Sequence, residues 1–204
     1  MSVLQSFSTI GKAGHLEGMV HIPKDEASVI ALICHPLPTM GGTMDNKVAV
    51  TLAKTFCELG CVSLRFNYRG VGASEGEFTG GDGELEDALA VADFARDQFG
   101  ELPLILSGFS FGGYVAARAA EKLNPRHLIL AAPAVGRFEM PQVPKDTLVI
   151  HGENDEVVPL ADVLDWARPQ HLPIIVLPAA EHFFHGRLTQ LRDIVKKHFT
   201  GVEL

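Results

Sequence analysis

The stretch Leu102-Pro103-Leu104-Ile105-Leu106-Ser107-Gly108-Phe109-Ser110-Phe111-Gly112-Gly113 decides the fold. An apolar run over Leu102 to Ser107 predicts a buried strand. Alanine-rich sequence from Phe111 to Leu123 predicts a helix. Between them lies Gly108-x-Ser110-x-Gly112, a G-x-S-x-G sequence at a strand-to-helix turn. A serine on so sharp a turn is held in a strained backbone conformation, and the residues two positions either side must be nearly free of side chain for strand and helix to approach. The pentapeptide alone arises by chance about one time in ten in a chain of this length and glycine content. Its placement between strand and helix makes Ser110 a candidate nucleophile rather than an ordinary helix cap.

Outward from this stretch, strands and helices alternate. Leu4 to Phe7 and Gly18 to His21 predict a leading hairpin, and Ser28 to Cys34 a central strand. Helical spacing runs from Asn46 to Leu59 and stops at Gly60, and Cys61 to Asn67 predicts a strand ending in the turn Arg69-Gly70-Val71-Gly72. A helix at Gly83 to Phe99 precedes the quoted stretch. Strands at His127 to Ala132, Thr147 to His151 and Pro173 to Leu177 follow it, with helices at Leu160 to Ala167 and Arg187 to Phe199. The pattern predicts an α/β chain with a mostly parallel sheet of seven to eight strands and helices on both faces. Nothing divides residues 1–204 into more than one domain, and no segment is long enough for a substantial lid.

In such a sheet, ligands sit beyond the carboxyl ends of the strands. A serine hydroxyl is a poor nucleophile until a histidine removes its proton and a carboxylate orients that histidine. Both types follow strands: Asp155 lies in His151-Gly152-Glu153-Asn154-Asp155-Glu156-Val157-Val158-Pro159, and His182 in Ala179-Ala180-Glu181-His182-Phe183-Phe184-His185. Glu153 and Glu156 compete with Asp155, and His185 with His182. His182 is nearer its strand end and is preferred as the base, leaving His185 either to support the site from behind or to lie at the surface.

These motifs, with His35-Pro36-Leu37-Pro38, Gly41-Gly42 and Asn67 to Ser74, resemble the α/β-hydrolase superfamily over nearly the whole chain. The nearest likeness is to a small, lid-poor group related in shape to dienelactone hydrolases. That resemblance implies the triad Ser110, His182 and Asp155, the acid being placed by the family's G-x-x-D loop. Dienelactone hydrolases carry a cysteine where Ser110 stands, so their substrate does not transfer. The expected oxyanion donors are the backbone N–H groups of Phe111 and Leu37. Leu37 is the one donor between His35 and Thr39, because its neighbours are prolines.

Composition narrows the function classes. Seventeen basic and 25 acidic residues give a net charge of -8, with no basic cluster beyond Lys196-Lys197, which argues against a nucleic-acid partner. No run approaches the roughly 18 apolar residues of a membrane span, and no signal-peptide pattern opens the chain. Cys34, Cys57 and Cys61 are an odd number without metal-type spacing, which predicts reduced thiols in a cytoplasmic protein. No cofactor or metal is expected, since His182-x-x-His185 has no further ligands at similar spacing. Arg69 is expected to steady its turn, Glu84 and Asp87 to favour a helix dipole, Trp166 to pack, and His35 to hydrogen-bond within its loop. Leu37, Met40, Met44, Phe109, Phe111 and Phe183 are expected near the site. The sequence thus points to hydrolysis of a small ester or thioester through an acyl-serine, against a ligand-binding protein on the same fold or a peptidase-type hydrolase. The oligomeric state is left open.

Overall fold

The computed structural model describes residues 2–200. Two long antiparallel strands, β1 (Val3–Gly11) and β2 (Gly14–Ile22), open the chain. There follow β3 (Ile30–Cys34), α1 (Lys47–Glu58), β4 (Val62–Phe66), α2 (Asp82–Phe99), β5 (Leu104–Phe109) and α3 (Phe111–Leu123). The second half contributes β6 (His127–Ala131), β7 (Leu148–Gly152), α4 (Leu160–Ala167), β8 (Ile174–Leu177) and α5 (Leu188–His198). All eight strands form one sheet in the order β1-β2-β4-β3-β5-β6-β7-β8, parallel from β4 to β8. The expected α/β-hydrolase architecture is therefore present, with the hairpin added antiparallel at one edge.

Every residue of β3, β4 and β5 is buried between two helical layers, β3 as a continuous apolar run and β4 with the polar Ser63 and Arg65 bonded to Ala53 O and Met44 O. Alternate residues feed two cores. Leu32, Leu64 and Leu106 pack with α2, α3 and α4, whereas Ile33, Ile105 and Phe109 pack with α1 and α5. Each fully buried Leu, Ile or Phe contributes about 1.5–3 kcal/mol. Chain progression reverses between β3 and β5: α1 leads outward from β3 to β4, and α2 returns to β5. The loops leaving Cys34 and Phe109 diverge at this point, opening the crevice that parallel sheets use for ligands.

Two expectations about this frame need correcting. Strand β5 continues through Gly108 and Phe109, so the turn rests on a single residue, Ser110. Asp87 is no dipole carboxylate: fully buried, it accepts from the Arg69 guanidinium at 2.8 Å and from the Arg69 backbone N–H at 2.9 Å. The pair ties the Arg69–Gly72 turn to α2. Glu84 caps that helix, accepting from the Gly81 N–H at 2.6 Å. Trp166 packs as expected, its indole N–H donating to Pro141 O at 3.1 Å, and the three cysteines are buried and free.

Between β6 and β7 the chain runs from 132 to 147 without a helix. No helix among the described residues is long and apolar enough to cross a membrane, and no group of three or more metal-ligating side chains occurs among them.

Candidate active site

Ser110 sits between β5 and α3 at φ 55°, ψ -119°, a left-handed conformation rare outside glycine. The turn closes because its neighbours lack side chains. A Cβ on Gly108 would lie 2.1 Å from Gly112 O, and one on Gly112 would lie 2.1 Å from Cys34 O. The Ser110 N–H donates to Ala131 O at 3.0 Å, and its carbonyl accepts from the N–H groups of Gly113 and Ala134 at 2.8 and 3.2 Å. Although Ser110 occupies the N-cap position of α3, its hydroxyl makes no capping bond. The hydroxyl instead lies 3.0 Å from His182 Nε2.

His182 follows β8 in the loop 178–187. Its Nδ1–H donates to Asp155 Oδ2 at 2.7 Å, which leaves Nε2 without a proton and able to accept from the Ser110 hydroxyl. The imidazole lies beside the Phe109 and Phe183 rings, at centroid distances of 5.0 and 5.1 Å. Asp155 is in turn held by the loop after β7, where its Oδ1 accepts from the N–H groups of Val157 and Val158 at 2.9 and 2.7 Å. Burial pushes the Asp155 carboxyl up, but the hydrogen bonds from His182 and Val158 outweigh it, and its pKa lies below the ordinary value. Asp155 is consequently ionised at neutral pH.

The competing side chains are elsewhere engaged or exposed. Glu153 accepts from the Ala179 N–H at 2.8 Å, bracing the histidine loop from the surface. Glu156 is exposed, and His185 lies exposed beside Glu181 at 3.4 Å. One contact has no counterpart in the sequence reading: buried His151 donates through Nε2–H to Val158 O at 2.9 Å and lies 3.5 Å from Asp155 Oδ2, backing the acid loop.

On the opposite wall, the loop after β3 folds back on itself. Leu37 O accepts from the N–H groups of Met40 and Gly42 at 3.1 and 3.0 Å. A Cβ on Gly42 would meet Pro36 O at 2.1 Å. His35 is the predicted loop hydrogen-bonder: Nδ1–H donates to Pro36 O at 2.7 Å, and Nε2 accepts from the Tyr68 N–H at 3.2 Å. Both partners demand the neutral ring, and burial lowers the His35 pKa to about 3. The backbone N–H groups of Leu37 and Phe111 have no hydrogen-bond partner among the described residues.

A cavity of about 290 Å³ lies over Ser110 and His182. Its apolar wall includes Leu37, Met40, Phe111, Phe138, Val157 and Phe183, with Asn46 and Arg137 as polar members. Four of the six expected apolar neighbours line it; Phe109 lies near the site but behind it, packed against the His182 ring from the α1 and α5 core, and Met44 is buried outside the lining. Sequence reasoning missed Ala134, Arg137, Phe138 and Val157. The first three lie in the helix-free connection after β6, which the carboxyl-end rule had already marked but which carries no motif. A second cleft of about 370 Å³ shares His182 and Phe183 and is lined by Asn154, Glu156 and Glu181.

Comparison with known proteins bears on the family and the fold. Residues 33–145, more than half of the chain, match the family model described as serine aminopeptidase, S33. An α/β serine hydrolase without lid from Xanthomonas campestris is 40% identical, with TM-score 0.92 over 97% of this chain and 94% of that one. An α/β serine hydrolase homologue from Coxiella burnetii is also 40% identical, with TM-score 0.86 over 95% of this chain and 96% of that one. An uncharacterized protein from Rickettsia prowazekii is 29% identical over 209 residues, spanning 95% of this chain and 87% of that protein. The chain belongs to the serine aminopeptidase S33 family of α/β hydrolases and is a serine hydrolase.

Proposed function

We propose that this hydrolase cleaves small carboxylic esters or thioesters through an acyl-serine, working as a single lid-less domain in the cytoplasm. The observation that carries the reading is the relay from Ser110 Oγ to His182 Nε2 at 3.0 Å and from His182 Nδ1 to Asp155 Oδ2 at 2.7 Å, at the floor of the apolar cavity. Ser110 Oγ attacks the acyl carbon while its proton passes to His182 Nε2. Asp155 holds the Nδ1–H tautomer and stabilises the imidazolium that forms. The N–H groups of Leu37 and Phe111 receive the negative charge on the former carbonyl oxygen, a contribution of about 3–4 kcal/mol per donor in comparable sites. Collapse of the intermediate expels the alcohol or thiol, which takes the His182 proton. A water molecule, deprotonated by His182, then releases the acid from Ser110.

The cavity favours this over removal of an N-terminal amino acid, because an acyl group bearing an ammonium would face Arg137 and no carboxylate there. Three reduced, buried cysteines support a reducing compartment. The test is a panel of 4-nitrophenyl esters, matched thioesters and aminoacyl-4-nitroanilides, run beside a fluorophosphonate probe. Turnover of the esters or thioesters, with probe labelling abolished in Ser110→Ala, is expected. An unlabelled folded protein overturns the catalytic reading, and faster cleavage of the anilides moves the assignment to a peptidase.

A further inference from the structure

Arg137 is the one side chain of fixed charge lining the cavity over Ser110; no aspartate or glutamate lines it. This is unusual chemistry for a protein of net charge -8. The guanidinium is steadied by Nε, which donates to Val157 O at 2.9 Å, joining the β6–β7 connection to the acid loop. That bond uses a single N–H, and no carboxylate lies within ion-pair distance of Arg137 among the described residues. The terminal N–H groups, the pair that meets a carboxylate in two parallel bonds, remain unclaimed.

Asn46 adds a second donor to the same cavity. Its Oδ1 accepts from the Val48 N–H at 2.9 Å as the cap of α1, which assigns the amide orientation and leaves the NH₂ without a partner among the described residues. The cleft on the other side of His182 has the opposite character, with Glu156 and Glu181 in its lining and no cation. A negative group is repelled from that cleft and attracted to the Arg137 side.

We infer that Arg137 is a specificity-determining residue, and that the preferred substrates are esters or thioesters whose acyl chain is apolar in the middle and ends in a carboxylate. The chain lies along Leu37, Phe111 and Phe138, and its end meets the Arg137 fork and the Asn46 amide. The leaving group, which receives the His182 proton, departs on the Glu156 and Glu181 side. The inference rests on the proposed ester chemistry and deepens it.

The test compares two 4-nitrophenyl esters of equal acyl length, the hydrogen adipate and the hexanoate, after subtraction of spontaneous hydrolysis. The ratio of their kcat/KM values should favour the adipate by about tenfold or more and shrink as salt is raised. Arg137→Gln should bring the ratio to about one or below, with Arg137→Lys intermediate. If Arg137 merely staples the two loops, both rates fall together and the ratio survives, which overturns the inference. A wild-type ratio near one overturns it as well. Should wild type cleave neither ester, the ester chemistry fails, and calorimetric binding to Ser110→Ala answers the separate question. Monomethyl adipate binding at least about tenfold tighter than methyl hexanoate, with the advantage lost in Ser110→Ala/Arg137→Gln, sustains the anionic preference; equal binding ends it.

Discussion

The β5–α3 turn and the β6–β7 connection both border the cavity, yet they are built by opposite means. In the first, atoms are so close that the backbone path has one solution: glycine at 108 and 112, a left-handed Ser110, and the strand Leu104–Phe109 buried throughout. In the second, residues 132–147 carry no helix; Ala132 to Val135 are buried and Ala132 is itself left-handed, but beyond them Gly136, Arg137 and Glu139 are exposed, and the cavity wall is completed by the side chains of Arg137 and Phe138. Steric necessity writes itself into sequence as a motif, whereas a wall assembled from exposed side chains leaves none. On the proposed mechanism the nucleophile belongs to the first region and the acyl selectivity to the second.

The largest expected effects test the relay that meets the turn at Ser110, supplied by the loops after β7 and β8. His182→Ala should lower kcat by about 10⁴ or more and Asp155→Asn by roughly 10⁴, each with an unchanged circular dichroism spectrum. His185→Ala, Glu153→Gln and Glu156→Gln should stay within about tenfold of wild type on the same neutral ester. A crippled His185 or glutamate variant beside a healthy Asp155→Asn would transfer the role to that residue.

Stability separates the two regions next. Gly112→Ala places a methyl group 2.1 Å from Cys34 O and 2.6 Å from His35 O, both backbone atoms in the buried centre. We expect a loss of about 3 kcal/mol or more, or no soluble protein, by urea denaturation. Gly136→Ala meets Asp162 Oδ2 at 2.9 Å, a carboxylate able to swing aside, and retains only the cost of a left-handed alanine at φ 76°, about 1 kcal/mol. Equal losses would show that the connection is as constrained as the turn.

This contrast explains what could be read in advance. Helices α3 and α4 have the ends their sequences predict, because Ser110 with the glycines and Pro159 mark their starts. Ser110 and His182 could be singled out because each directly follows a strand, whereas Asp155 was separated from Glu153 and Glu156 only by the resemblance to the family's G-x-x-D loop. The continuation of β5 through Gly108-Phe109 was not legible, since a glycine at a strand end reads as the start of a turn. Nor was Asp87, four residues from a helix start by sequence but facing Arg69 across the fold. Arg137 and Phe138 acquire meaning only when the β6–β7 connection is brought beside the loop of Val157, 20 residues from Arg137 in the chain.

Acid should destabilise the fold through two buried histidines outside the β5–α3 turn, His35 after β3 and His151 in β7. Burial lowers the pKa of His35 to about 3 and that of His151 below its ordinary value, so both are neutral in the fold and protonate freely in the unfolded chain below about pH 6.5. The unfolded state then binds more protons, and stability falls as pH drops below about 6.5, continuing toward about 3 for His35, by up to about 1.4 kcal/mol per pH unit for each histidine that stays neutral in the fold. Urea midpoints at pH 7.5 and pH 5 measure this slope. His35→Gln, less stable at pH 7.5, should have a slope shallower by about one proton, and an unchanged slope would remove His35 from the account.

The smallest effect should come from Phe138, the aromatic residue that the connection lends to the cavity. Its ring stacks on Tyr114 at 4.9 Å and meets Phe111 at 5.0 Å, so it covers the residue next to the nucleophile while remaining half-exposed. Truncation to alanine removes one apolar wall without touching Ser110, His182 or the N–H groups of Leu37 and Phe111. Acetyl esters, too short to reach that wall, should keep kcat within about twofold. Six- to eight-carbon acyl esters should lose binding that is equal in ground and transition states, raising KM by about three- to tenfold, which corresponds to about 1 kcal/mol of lost apolar contact. The chain-length series on Phe138→Ala therefore distinguishes a wall from a working part: a KM effect that grows with acyl length leaves the division intact, whereas a fall in kcat on acetyl esters would show that the connection also holds Phe111 in register for catalysis.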